Sequence, residues 1–174
     1  MKKISMMLCI NLVVIFSLFS QLAFAEEKIP KLSRAAQHLY DRGFKSCSAD
    51  LDKSVKWVHD DDNNYGLHGV WNEKTPDLRM GVVTTSEPYS DASGVTTFFA
   101  TKDASGKCTV AGTTSMYFDK TCTSIRETAF KTWKFVGDIS TTSIYTLGED
   151  ASLDAYLTPA KGGCLLIRRF TLYY

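Results

Sequence analysis

The chain ends on Gly162-Gly163-Cys164-Leu165-Leu166-Ile167-Arg168-Arg169-Phe170-Thr171-Leu172-Tyr173-Tyr174, and this stretch restricts the fold more than any other. Taken with a period of two, Cys164, Leu166, Phe170, Leu172 and Tyr174 share one face, with Arg168 the only intruder. Leu165, Ile167, Arg169, Thr171 and Tyr173 share the other. The β-branched and aromatic content predicts a long strand, and Gly162-Gly163 supplies the turn that starts it. Left at an edge, such a strand invites pairing with other molecules, so it is expected inside a sheet.

The opposite end sets the compartment. Lys2-Lys3 is a short positive region, Leu8 to Phe19 is an almost unbroken apolar run, and Ala23-Phe24-Ala25 is a small-x-small cleavage site, which together predict a secretory signal peptide over residues 1–25. The apolar run is short for a bilayer span, and no later stretch reaches ~18 apolar residues. Cys9 lies inside the run, which argues against a lipidated start. Residues 26–174 are then expected to fold as a single domain of a size that buries roughly 70% of its unfolded surface. Removal of Lys2 and Lys3 turns the formal charge from +1 to −1. That balance gives no support to nucleic-acid or anionic-membrane binding, which need a concentrated basic surface.

Cys47, Cys108, Cys122 and Cys164 remain in the exported chain. An even number of cysteines in an oxidising compartment predicts disulfides, and the absence of any C-x-x-C pair argues against a metal site.

Between the two ends the character of the chain changes once. Leu32, Ala35, Ala36, Leu39 and Tyr40 recur at helical spacing after Pro30, with Gly43 as the stop. A second helix is predicted from Ser48, with Leu51, Val55 and Val58 on one face and Asp50 and Asp52 in its first turn. From Tyr65 onward Gly, Thr, Val and aromatics take over. Strands are predicted near residues 67–71, 79–85, 95–101, 107–118, 141–147, 152–158 and 164–173. One helix over 122–135 interrupts them, with Ile125, Ala129 and Trp133 on a face and Thr121 or Ser124 as cap. The expected fold is therefore α+β: an antiparallel sheet of about six or seven strands, with N-terminal helices and one mid-chain helix packed on it, stiffened by disulfides.

A faint internal echo accompanies this pattern. With Cys108 laid on Cys164, Phe99-Ala100-Thr101, Gly106-Lys107-Cys108 and Met116-Tyr117-Phe118 match Tyr156-Leu157-Thr158, Gly162-Gly163-Cys164 and Leu172-Tyr173-Tyr174. If 107–118 is one straight strand, its ends lie roughly 30 Å apart, too far for a Cys108–Cys122 bridge unless Gly112 folds the strand back. A trace through the helix and the two strands that follow returns Cys164 to the end of the sheet that holds Cys108. The expected pairs are Cys108 with Cys164 and Cys47 with Cys122.

Chemical motifs are sparse. Asp60, Asp62 and Asn64 alternate as calcium ligands do, but neither register of the loop puts both Gly at its sixth position and Glu at its twelfth, so a solvated acidic turn is expected. His59 and His68 flank that turn, and a site built from them with Asp60 or Asp62 is a hydrolase arrangement the sequence offers, as are paired carboxylates that meet only in the fold; surface histidines are the expectation. There is no G-x-S-x-G, S-x-x-K, G-x-G-x-x-G or P-loop, and bridged cysteines have no free thiolate. Glu73, Glu87 and Glu149 fall in predicted loops as ordinary surface charges. No catalytic residue, metal or cofactor is assigned. Tyr65, Trp71 and Tyr89, beside turns rich in Asp, Asn and Ser, are the expected exposed contact patch, together with Asp60 and Asp62. These features point to a periplasmic or secreted binding protein without catalytic activity, acting on a protein partner in the cell envelope, for example as an inhibitor or immunity partner. The alternatives are the small hydrolase and a small-ligand carrier with a pocket between helices and sheet.

Overall fold

The helical stripe read from the sequence is the one that packs. A computed structural model describes residues 31–60, 64–89, 92–147 and 152–174; the predicted signal peptide lies outside them, as do Asp61, Asp62 and Glu149. Helix α1, Arg34–Tyr40, buries Ala35, Ala36 and Leu39, and helix α2, Ser48–His59, buries Leu51 and Val55. Gly43 follows α1 at φ +93, a left-handed conformation that ends the helix at little cost for glycine. Helix α3, Cys122–Ala129, starts under the Thr121 side chain, which accepts from Ser124 N at 3.2 Å.

Eight strands make one antiparallel sheet: β1 Gly66–Val70, β2 Gly81–Pro88, β3 Ser93–Lys102, β4 Cys108–Phe118, β5 Lys134–Ile139, β6 Thr142–Thr146, β7 Leu153–Ala160 and β8 Gly163–Tyr173. Their order is β1-β2-β3-β4-β8-β7-β6-β5, so the C-terminal strand sits between β4 and β7, inside the sheet as its pattern requires. Helices segregated onto a sheet are α+β in the coarse sense, with the sheet dominant. Phe170 of β8 packs in one hydrophobic cluster with Leu39, Leu51 and Phe98, and Leu166 packs in a second with Ile125, Phe130 and Leu157. Both residues fall on one face of β8, so α2 and α3 cover the same side of the sheet.

Two expectations are corrected. The strand count is eight, because β5 lies where the sequence predicts the end of a helix; α3 stops at Ala129, and Lys134-Phe135-Val136 carry the extended residues instead. The disulfides are Cys47–Cys108 and Cys122–Cys164, replacing both expected pairs. The second error follows from the first. An added strand reverses the direction in which the chain reaches β8, so Cys164 stands opposite Phe118, at the Cys122 end of β4. Cys108 and Cys122 do lie too far apart to pair, since they flank the two ends of an unbroken β4. Gly112 does not fold that strand: a Cβ there would stand 2.2 Å from the Phe170 ring, so glycine makes room for the aromatic side chain across the pair.

Candidate binding surface and a buried polar seam

The predicted contact patch divides by burial: Tyr65 and Tyr89 meet through His59 and Glu87, but on the inside and the outside of the fold. Tyr65 is 4% exposed, with its hydroxyl accepting from Ala35 N at 3.2 Å and its ring stacked on His59, so it is a core residue unable to meet a partner. Trp71 packs against the same core, with the Arg42 guanidinium 5.0 Å over its ring and His38 at its edge. Asp60 caps α2 in the left-handed region at φ 47 and is exposed. Asp62 lies outside the described residues. Tyr89 alone among the aromatic members is exposed, at 40%.

His59 and His68 do not meet either. His68 is exposed and pairs across the strands with Thr84, whereas His59 is buried and bonds to Thr85, whose side chain points to the opposite face. His59 is thus a core side chain where a surface one was expected. Its Nδ1 lies 2.9 Å from Glu87 Oε2 and its Nε2 lies 2.9 Å from Thr85 Oγ1. An ionised carboxylate only accepts, so Nδ1 donates to Glu87, while Nε2 shares a hydrogen bond with the Thr85 hydroxyl, which also donates to Thr96 O at 3.4 Å. Glu87 accepts a second bond from the Tyr89 hydroxyl at 2.7 Å, and so belongs to a network on β2 instead of a loop. Burial first, then that carboxylate, push the Tyr89 phenol up to about 12, and the phenol stays a donor.

The order Thr85–His59–Glu87 has the form of a nucleophile, base and orienting acid. Thr85 is 1% exposed and its hydroxyl is enclosed between α2 and the sheet, so no scissile group reaches it. The arrangement instead pins the last turn of α2 to β2.

Thr85 opens a longer feature. Across the helix-covered face the paired positions are Thr85, Thr96, Thr114 and Arg168, one residue from each of β2, β3, β4 and β8. The three threonines are buried, and the Thr96 and Thr114 hydroxyls lie 2.9 Å apart. This polar seam lies between the two hydrophobic clusters. Sequence alone marks only its last member, the charged side chain intruding on the apolar face of β8.

A group of uncovered apolar side chains lies elsewhere, on one strand. Phe135, Val136 and Ile139 of β5 are 52%, 59% and 63% exposed, on the strand that ends the sheet. Beside them a shallow groove of about 500 Å³ runs between α3 and β5–β6, walled by Phe130, Trp133, Phe135 and Tyr145 and rimmed by Arg126, Glu127 and Lys131. Trp133 stands edge-on to Phe130 at 4.8 Å, beyond the helix the sequence predicted it to anchor. Among the described residues no helix is long and apolar enough to cross a membrane. No protein-family model, curated protein or solved structure matches the chain.

Proposed function

We propose that this is an exported binding protein without catalytic activity, which holds a partner in the cell envelope along the β5 edge of its sheet, as an inhibitor or immunity-type partner of an envelope enzyme. The observation that carries this reading is the state of β5. Natural edge strands are blunted by charge, proline or a covering element, because their free N–H and C=O groups template pairing. Here the exposed edge presents Phe135, Val136 and Ile139, with only Lys134 and Asp138 as charged residues and a register shift between Phe135 and Gly137. An extended segment of a partner continues the ladder and sets its side chains into the aromatic groove. Arg126 and Lys131 outnumber Glu127 on that rim, while Lys134 and Asp138 of β5 balance each other, so the segment that fits is apolar with an acidic side chain. Two disulfides suit an oxidising compartment, and the enclosed His59 network leaves the reading as a hydrolase without an accessible nucleophile.

The test is co-purification from an envelope extract with the wild-type chain, with Val136→Lys/Ile139→Lys, and with Val70→Lys on the opposite edge. One protein retained by the wild type and by Val70→Lys, and lost from the β5 variant, is the expected result. Equal capture by all three chains, or turnover in a hydrolase screen that survives the β5 change, overturns the proposal.

A further inference from the structure

The polar seam ends on Arg168, which has no ion-pair partner among the described residues. Arg168 projects from the middle of β8 on the helix-covered face, flanked by Thr114 of β4 and Ala155 of β7, which are 4% and 0% exposed. Along β8 it separates Phe170, in one hydrophobic cluster, from Leu166, in the other. Its Nε is buried without a hydrogen-bond partner. The nearby carboxylates of the described residues are engaged elsewhere: Glu87 by His59 and Tyr89, and Asp154 by Arg169 on the opposite face. The Trp57 ring lies 5.9 Å from its Cζ, and the Tyr89 phenol is close enough to act on its charge. Burial lowers the pKa of Arg168, and the Tyr89 phenol opposes that shift only in part.

A guanidinium taken out of water without a counter-charge is a net cost to the fold. Its planar fork is shaped for two oxygens of one oxyanion. A single positive charge suits a monoanion better than a dianion. Trp57 and Tyr89, 45% and 40% exposed, offer apolar surface beside it. We propose that Arg168 anchors a small monocarboxylate ligand whose apolar body rests against the exposed parts of Trp57 and Tyr89. This site is separate from the β5 edge and does not depend on the partner reading.

Thermal melting of the processed chain with benzoate, benzamide and inorganic phosphate tests it. Benzoate at tenfold its Kd is expected to raise the melting temperature by about 3–6 °C, with benzamide and phosphate inert. Arg168→Met is expected to abolish the benzoate shift while melting, without any anion, at or above the wild-type temperature. Arg168→Lys keeps the charge but not the fork, and is expected to weaken benzoate at least about tenfold. No benzoate shift, an equal shift with benzamide or phosphate, or a shift retained in Arg168→Met overturns the proposal. So does a lower melting temperature of Arg168→Met without anion, which would mean that the arginine is already answered within the chain.

Discussion

The two halves of this sheet follow one plan and are covered unequally. In each, a helix precedes a four-strand meander, and a disulfide ties the start of the helix to the start of the fourth strand: Cys47 to Cys108 in β1–β4, Cys122 to Cys164 in β5–β8. The halves join through β4 and β8, where Thr113 faces Arg169, Phe118 faces Cys164, and Tyr174 N donates to Cys108 O at 2.9 Å. Overlaying Cys108 on Cys164 therefore maps this pairing onto itself, which gives the faint sequence echo a structural counterpart. The first half lies under α1 and α2, of 7 and 12 residues; the second lies under α3, of 8. The bare apolar strand belongs to the half with less cover. Coverage, more than strand pairing, is what divides a stable half from an accessible one.

The sharpest way to test that division is to cut one tie at a time. Both bridges close loops inside their own half, across sequence separations of 61 and 42, and loop entropy gives each about 4 kcal/mol. Equal cost need not mean equal consequence. Cys122→Ser/Cys164→Ser is expected to raise amide exchange in α3, β5 and β6 while β1–β4 stay protected, because α1 and α2 still cover them. Cys47→Ser/Cys108→Ser frees α2 from β4 and is expected to raise exchange through the whole sheet. Matching exchange maps for the two variants would break the comparison.

Core truncations come next in size. Phe98 is 0% exposed under α2, and Phe98→Ala is expected to cost about 3–5 kcal/mol in urea unfolding. Ile125, the one residue α3 buries, has fewer neighbours to leave behind, so Ile125→Ala is expected at the lower end, about 2–3 kcal/mol. A larger loss at Ile125 would make the second half the anchor of the fold.

Acid should loosen the first half selectively. The segment entering α2 is held by Asp77, whose carboxylate accepts from Lys45 N at 2.8 Å, from Ser46 N at 2.6 Å and from the Ser46 hydroxyl. Burial acts to raise the Asp77 pKa, but these bonds and the Lys102 charge outweigh it and the net shift is downward. A carboxyl whose folded pKa is lowered contributes stability above its unfolded value of 3.8 and loses it as pH falls through the lower folded value. Entry to α3 relies on the Thr121 hydroxyl, which does not titrate. Asp77→Asn is expected to cost about 1–2 kcal/mol at neutral pH, with the gap to wild type closing below about pH 4. A gap that stays constant down the pH scale would remove Asp77 as the cause.

How much of this was legible depended on whether the signal was local. The β8 alternation, the stripe of α1 and the Thr121 cap reflect neighbours in sequence, and each is where the pattern puts it. Strand β5 was hidden because Ile125, Ala129 and Trp133 keep helical spacing past the point where α3 ends, and a one-turn stop at Phe130 carries no glycine or proline to announce it. That single omission reversed the disulfide pairing. Tyr65 read as exposed because its neighbours are polar, although tertiary packing buries it against His59. The seam from Glu87 to Arg168 was out of reach, since its members come from five elements and meet only through strand register.

The smallest expected effect on stability is the one that bears most directly on the accessible half. Val136 and Ile139 are more than half exposed, so replacing both with lysine removes little buried area, and surface changes of this kind usually stay within about 0.5 kcal/mol. The same change places two charges on a free edge, which is how natural sheets discourage strand addition. Val136→Lys/Ile139→Lys is therefore expected to unfold in urea at the wild-type midpoint while losing the partner captured by the wild-type edge. If the variant unfolds earlier by more than about 1.5 kcal/mol, these side chains are structural and β5 is covered in the native protein by something other than a partner. If stability and capture are both unchanged, the bare edge is incidental, and the difference in cover between the two halves has no bearing on binding.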